Sequence, residues 1–259
     1  MRSSEWVSFV YFAALTAIAW LRPLGTTRRV QITAIGLLSC IAVVAVARLA
    51  PPAVRDWIPP LIILAGYFLS GRFFVKPSPS FEGWLIAWDR RLLGDPTTRF
   101  AHWPRALLAY LEIVYMGCAV LVPAGFAALA WTGRAALADS YWTLVTAAEF
   151  GSFASLGVVQ ARPPWMVERK AVLRDRAVHR AASIMVEHLT IRANTFPSGH
   201  VAGSLAVALA VLRAMPVFGL VLLFLAGSIA AACVVGRYHY IVDVVAGLVL
   251  TLLIWSVVT

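Results

Sequence analysis

The chain has 259 residues, 61% of them hydrophobic, and 22 Lys and Arg against 12 Asp and Glu give a formal net charge of +10. Length alone permits one or two soluble domains, but so high an apolar content and a mean hydropathy of +0.82 exclude them and point to an integral membrane protein. The basic residues lie between apolar runs, where anionic lipid head groups and phosphates are nearer partners than nucleic acid, and Cys40, Cys118 and Cys233 fall inside apolar runs where spacing suggests neither a disulfide nor a metal cluster.

The first apolar run, residues 6–21, carries a small-x-small triplet at 17–19 that mimics a signal-peptide cleavage site. With only Arg2 ahead of it, Glu5 against it and a second run following at 30–47, a retained helix is expected. Proline pairs at 51–52 and 59–60 bracket a short connection to a third run at 60–75, with Arg72 near its end. Residues 1–57 thus hold the first two expected transmembrane helices and residues 58–259 the other six. From 76 to 105 the composition turns polar, and Phe81, Trp84, Leu85 and Trp88 recur at helical spacing beside Glu82, Asp89, Arg90 and Arg91. A helix lying at the membrane surface is expected there, with a grip on a lipid head group as the functional alternative.

The next run, 106–131, contains Tyr115 and Glu112. A carboxylate at the bilayer centre costs about 2.5–3.5 kcal/mol, but Glu112 is near the end of its run and is expected to snorkel or to meet an Arg. A fifth run at 141–159 holds Glu149 as an interior polar anchor. ARPPWMVERK then opens the longest polar loop, basic as far as Arg192, in which Val167, Val172, Ile184 and Met185 suggest a short surface helix. Arg162 stands apart, because two following prolines stiffen its backbone, and a rigidly held guanidinium is a good bidentate phosphate ligand. Runs at 200–212, 216–235 and 240–258 finish the chain and are joined by loops of a few residues, so these helices are antiparallel neighbours. The fold class expected is all-α, a polytopic membrane helical bundle of about eight transmembrane helices. Trp6, Trp20, Trp57, Trp131, Trp142 and Trp255 sit near the expected span ends, as an aromatic belt requires.

Two polar patches carry the chemistry, NTFPSGH at 194–200 and GRYHYIVD at 236–243. His239 and Asp243 are four apart, so on a helix a carboxylate holds one ring nitrogen and leaves the other free to attack an electrophile. Ser198 and Gly199 precede an apolar helical run, and their amides form an anion site. His200 follows, placed to give or take a proton. Counting spans puts Arg162, Ser198, His200, Arg237 and His239 on one membrane face, and two histidines across one anion suggest phosphoryl transfer. Residues two apart on a helix point nearly opposite ways, so Arg237 and His239 share a ligand only if the chain turns, which Gly236 permits. Pairing of Asp243 with Arg237 is the structural alternative for that carboxylate. His102, His179 and His188 are expected in ordinary packing or interface roles.

PSGH at 197–200 together with His239 and Asp243 resembles the type 2 phosphatidic acid phosphatase superfamily, the membrane lipid phosphate phosphatases and their relatives, over roughly residues 162–247. The resemblance implies that His239 attacks phosphorus to form a phosphohistidine with Asp243 orienting it, and that His200 protonates the departing oxygen. It implies that Arg162, Arg237 and the amides of Ser198 and Gly199 hold the nonbridging oxygens, with no metal or other cofactor. The partners implied are a lipid phosphate from the bilayer and, for transfer, an alcohol acceptor; the expected location is a bacterial cytoplasmic membrane. Two departures stand out. The phosphatase-type first motif is Lys-x6-Arg-Pro, and seven before Arg162 this chain has Ser155, leaving Arg72, Arg169, Lys170 or Arg192 as substitutes. The usual Ser-Arg pair before the nucleophilic histidine is Ala232 and Cys233 here, with Arg237 as the replacement charge. RYHY-x-x-D and the PPW after Arg162 look more like the branch of inositol phosphorylceramide synthases and their bacterial relatives, which makes a head-group phosphotransferase the alternative to a hydrolase. A non-catalytic lipid-binding or transport protein is a second alternative, against which the intact Ser198, His200, His239 and Asp243 argue. The positive-inside rule puts the site in the cytoplasm, whereas bacterial phosphatases of this resemblance face outward; both orientations stay open.

Overall fold

A computed structural model describes residues 1–168, 182, 184–188 and 190–258; Arg169, Lys170, Val172 and His179 lie outside them. The described residues form helices α1 (Ser3–Leu21), α2 (Thr26–Leu49), α3 (Pro52–Trp57), α4 (Pro59–Gly71), α5 (Pro79–Leu93), α6 (Pro96–Ala101), α7 (Arg105–Trp131) and α8 (Ala138–Phe153). A single turn, α9 (Pro164–Val167), is followed by a helical stretch at 184–188 and then by α10 (Gly199–Ala214), α11 (Pro216–Val235) and α12 (Ile241–Val258). Proline begins α3, α4, α5, α6, α9 and α11, where its missing N–H would have had no helical partner.

Five helices, α1, α2, α7, α11 and α12, are long and apolar enough to cross a membrane, and α4 and α10 are apolar but shorter. With α8 they occupy the eight expected positions of an all-α bundle. Leu37, Leu38 and Ile41 on α2, Leu220 and Phe224 on α11, and Leu252 and Leu253 on α12 point outward, as side chains against acyl tails do. α8 is the exception that organises the rest. Its Tyr141, Trp142, Val145, Ala148 and Phe150 are buried, and α1, α4, α10 and α12 pack around it. Shielded from lipid, it carries Thr143, Thr146, Glu149 and Ser152 at buried positions. α1 joins the same core through Tyr11, whose ring stacks on Phe150 at 4.0 Å and whose hydroxyl donates to the Gly66 carbonyl at 2.9 Å.

Several boundaries differ from expectation for local reasons. The third span ends at Gly71, because Arg72 to Phe74 turn back on α4 through short-range amide bonds and Gln160 takes the Phe73 carbonyl. The fifth leaves α-helix at Phe153 and continues as a 3-10 turn, Ala154–Gly157. Trp142 is not part of an aromatic belt; it is 1% exposed and donates to the Asp56 carbonyl, whereas Trp6, Trp20, Trp57 and Trp131 are exposed.

Candidate active site

The segment between α11 and α12 makes the turn that the motif needs. Tyr238 donates its amide to the Cys233 carbonyl at 2.9 Å and Arg237 its amide to Val234 at 3.3 Å, the pair of bonds of a Schellman helix end. Glycine usually fills the left-handed position of that motif, but here it is Arg237, at φ 60°. A left-handed side-chain-bearing residue costs about 1–2 kcal/mol, so surrounding contacts must hold it. Gly236 is not the left-handed residue; its φ is −76°, and its lack of a Cβ is needed because one would run into the Tyr238 ring.

His239 therefore projects from the turn just before α12. Asp243 reaches back from the first turn of α12, and its Oδ2 accepts the Tyr240 amide at 2.9 Å, half of a capping box. The same oxygen lies 3.3 Å from His239 Nδ1, and His239 Nε2 lies 3.3 Å from His200 Nδ1. An acceptor at Nδ1 fixes the proton there, leaves Nε2 as an acceptor and makes His200 Nδ1 the donor to it.

His200 is the second residue of α10, whose N-cap is Ser198, with Oγ accepting the Val201 amide at 3.5 Å. The two amides expected to bind an anion have protein acceptors: Ser198 donates to the Asp243 carbonyl at 3.0 Å and Gly199 to Thr195 Oγ1 at 3.4 Å. Tyr115 of α7 lies between two rings, stacking on His200 at 5.0 Å and on Tyr238 at 3.7 Å. The Tyr238 hydroxyl donates to Glu112 at 2.5 Å. Glu112 is 4% exposed, so it faces the interior and does not snorkel.

The arginines are held by α5. Glu82, Leu85 and Asp89 recur at i, i+3 and i+7 on one face, and all three are buried while Trp84 and Leu92 are exposed. The carboxylates of this helix thus face the protein interior. Glu82 accepts the Arg162 amide at 2.9 Å, Nε at 3.1 Å and Nη2 at 2.7 Å. Those donors hold the Glu82 carboxyl below its ordinary pKa, outweighing partial burial. Arg237 gives Nε and Nη2 to the two oxygens of Glu168 at 2.8 and 2.7 Å, and Nη2 also to Asp89 at 2.6 Å. Among the described residues its Nη1 has no hydrogen-bond partner, although it is buried. The cation thus pairs with Asp89 and Glu168, not with Asp243.

Backbone bonds fasten the three motif segments together. Asn194 donates its amide to the Ala161 carbonyl at 2.9 Å, Trp165 to Arg237 at 3.0 Å, and the Tyr240 hydroxyl to Arg162 at 3.2 Å. Arg162, Ser198, Gly199, His200, Arg237, His239 and Asp243 accordingly lie in one network on one face of the bundle. Ser155, in the place of the first-motif lysine, accepts the Phe196 amide at 3.3 Å and steadies the loop before Pro197. Of the candidate substitutes, Arg72 binds Gln31 and Arg192 is exposed. His102 and His188 are exposed. No group of three or more His, Cys, Asp or Glu arranged for a metal occurs among the described residues. Sequence reasoning missed the roles of Glu82, Asp89 and Glu168; the signal available was three acids on the site-bearing face of a strongly basic chain.

Comparison with known proteins places residues 83–257 in the PAP2 superfamily, whose members are generally phosphatases or phosphotransferases. No curated protein and no solved structure gives a significant match. The matched region runs from α5 through both histidine motifs to the last turns of α12 and covers more than half of the sequence. This all-helical membrane chain belongs to the PAP2 superfamily.

Proposed function

We propose that the protein is an integral-membrane lipid phosphate phosphatase that works through a phosphohistidine on His239. The observation that carries this reading is the hydrogen-bonded line Asp243–His239–His200, with 3.3 Å at each step. Asp243 keeps the Nδ1 proton in place and balances the imidazolium that results when Nε2 is phosphorylated. The Nε2 lone pair forms the N–P bond as the P–O bond to the lipid breaks, its electron pair leaving on that oxygen. His200, entering the step as the imidazolium, gives its Nδ1 proton to that oxygen and is left neutral. Reacting atoms approach to about 3–3.5 Å, so phosphorus takes the space that the His200–His239 hydrogen bond spans, and the rings separate as substrate enters. His200 then takes a proton from water, whose oxygen bonds phosphorus as the N–P bond breaks, giving free phosphate and restoring His239.

The nonbridging oxygens fall to Arg162 and to Nη1 of Arg237, whose other edge is occupied by carboxylates that orient it. The Ser198 and Gly199 amides contribute once they release Asp243 and Thr195. A phospholipid or polyprenyl phosphate suits a basic site at the end of a lipid-facing bundle. Transfer to an alcohol in place of water, as in the inositol phosphorylceramide synthase branch, is the second reading. It rests on the likeness of the PPW at 163–165 and of RYHY-x-x-D to that branch.

The test is a partition assay on purified protein with labelled phosphatidic acid and polyprenyl phosphate, with and without inositol or a lipid alcohol, comparing wild type with His239→Ala. Free phosphate from wild type alone supports the phosphatase. A new labelled lipid that depends on acceptor supports the transferase. Equal turnover by His239→Ala overturns the assignment of the nucleophile, and no turnover by either protein supports a non-catalytic lipid-binding role.

A further inference from the structure

Asp89 splits its carboxylate between the two ends of the nucleophile's turn. Oδ2 accepts Arg237 Nη2 at 2.6 Å, and Oδ1 accepts the Ile241 amide at 2.8 Å. These partners stand two residues before and two residues after His239. They lie 148 and 152 residues from Asp89 in sequence, so the contact is made by the fold and not by local chain geometry. Ile241 is the first residue of α12, and its amide is among those that a helix cannot satisfy internally. Arg237 is the left-handed residue of the turn. Asp89 is 2% exposed, so both contacts lie away from bulk solvent, where hydrogen bonds are electrostatically stronger.

We propose that Asp89 is a positioning residue for His239: one buried carboxylate on α5 clamps both ends of the 237–241 turn and so sets where Nε2 meets phosphorus. The proposal rests on the phosphohistidine reading above. A capping interaction alone would need only Oδ1, and an ion pair alone would need only Oδ2; a single short side chain that takes both fixes the distance between them. Glu168 already neutralises Arg237 from Nε and Nη2, so charge balance does not require Asp89. What Asp89 adds is the link between Arg237 and the start of α12. Asp243 sits in that first turn and His239 hangs between the two clamped points, so slack in the turn moves the ring relative to both Asp243 and His200.

The test uses the full-length protein in detergent, with dioctanoyl phosphatidic acid as probe, and compares wild type, Asp89→Asn, Asp89→Ala and His239→Ala. A displacement of about 1 Å at a reacting atom costs about 100-fold in rate. Asp89→Ala is therefore expected to lower kcat about 100-fold with KM nearly unchanged. Asp89→Asn keeps an acceptor for the Ile241 amide and loses the one for Arg237, so its kcat is expected to fall between the other two. A thermal unfolding midpoint on each variant separates this from loss of fold, and Asp89→Asn, nearly the same size, is the variant that decides if Asp89→Ala does not fold. If His239→Ala is inactive while both Asp89 variants keep the wild-type kcat, or change kcat only in step with the folded fraction, the clamp is overturned and the nucleophile assignment stands. If His239→Ala retains activity, the phosphohistidine reading fails and the clamp falls with it.

Discussion

Glu82 closes around Arg162 with three hydrogen bonds, one from the amide and two from the guanidinium, and so ties α5 to the first arginine of the site. Because Arg162 holds the folded-state pKa of Glu82 below its ordinary value of 4.5, the contact stabilises the docked helix above that value. Its contribution is lost as pH falls through the lowered one. α5 is thus expected to stay docked through mildly acid conditions and to loosen only below the ordinary carboxylate range. Hydrogen exchange over residues 79–93 across an acid series measures this. In Glu82→Gln the acid step disappears and exchange is faster already at neutral pH. An identical acid step in the variant assigns the transition to another group.

What was legible in the sequence, and what was not, follows one physical division. The spans were legible because burial in lipid demands continuous apolar runs, and His239 with Asp243 because four residues is one helical turn. Convergence of the two motifs followed from counting spans. The α5 carboxylates were not legible. Glu82 and Asp89 have the periodicity of a solvent-facing stripe, and only the partners Arg162 and Arg237, 80 and 148 residues away, turn that stripe inward. The same holds for Trp142, which reads as a belt residue but lies in the centre of the bundle because α8 is enclosed by four other helices. The left-handed Arg237 was hidden because Gly236 next to it offered a simpler turn.

α10 approaches α8 closely only because two of its residues lack side chains. A Cβ on Gly203 would run into the Glu149 carboxylate, and one on Gly199 would meet Phe153 and Glu149. Glu149 is 8% exposed and has little room to yield. Gly203→Ala is expected to destabilise by about 1–3 kcal/mol, the usual cost of overpacking. Gly117→Ala is the control: nothing lies within 4 Å of a Cβ there, and the change gains up to about 1 kcal/mol of helix propensity. Denaturation in detergent of Gly203→Ala, Glu149→Ala and the double variant tests the contact. The double variant is expected to be more stable than the sum of the two losses by about 1 kcal/mol, and strict additivity would mean that the two residues do not oppose each other.

Tyr115 supplies a wall for His200 that neither motif contains. Its ring lies against His200 on one side and Tyr238 on the other, and Tyr238 is pinned by Glu112. A stacked aromatic pair is worth about 0.5–1.5 kcal/mol beyond its buried area, enough to bias the His200 ring between rotamers by roughly two- to tenfold. Tyr115→Phe keeps the stack and is expected to stay within about threefold of wild-type kcat, while Tyr115→Leu is expected to lose about tenfold. If both variants lose activity equally, the hydroxyl and not the ring face matters.

Arg237→Gly sets two effects of known size against each other. Glycine removes the left-handed strain and regains about 1–2 kcal/mol. It also leaves the buried Asp89 beside the half-buried Glu168 without their cation, and breaking a buried pair from one side costs about 3–5 kcal/mol. The loss wins, and a net destabilisation of about 2–3 kcal/mol is expected despite the better backbone. Arg237→Lys keeps the strain and the charge but cannot give Nε and Nη2 to Glu168 while also reaching Asp89, so it is expected to fall between wild type and Arg237→Gly. Thermal midpoints in detergent rank the three proteins. If Arg237→Gly is as stable as wild type, the carboxylates do not depend on the guanidinium and the ion-pair cluster is not what holds the turn. If Arg237→Lys matches wild type in stability but loses turnover, the remaining Nη1 is doing chemistry that a point charge cannot replace.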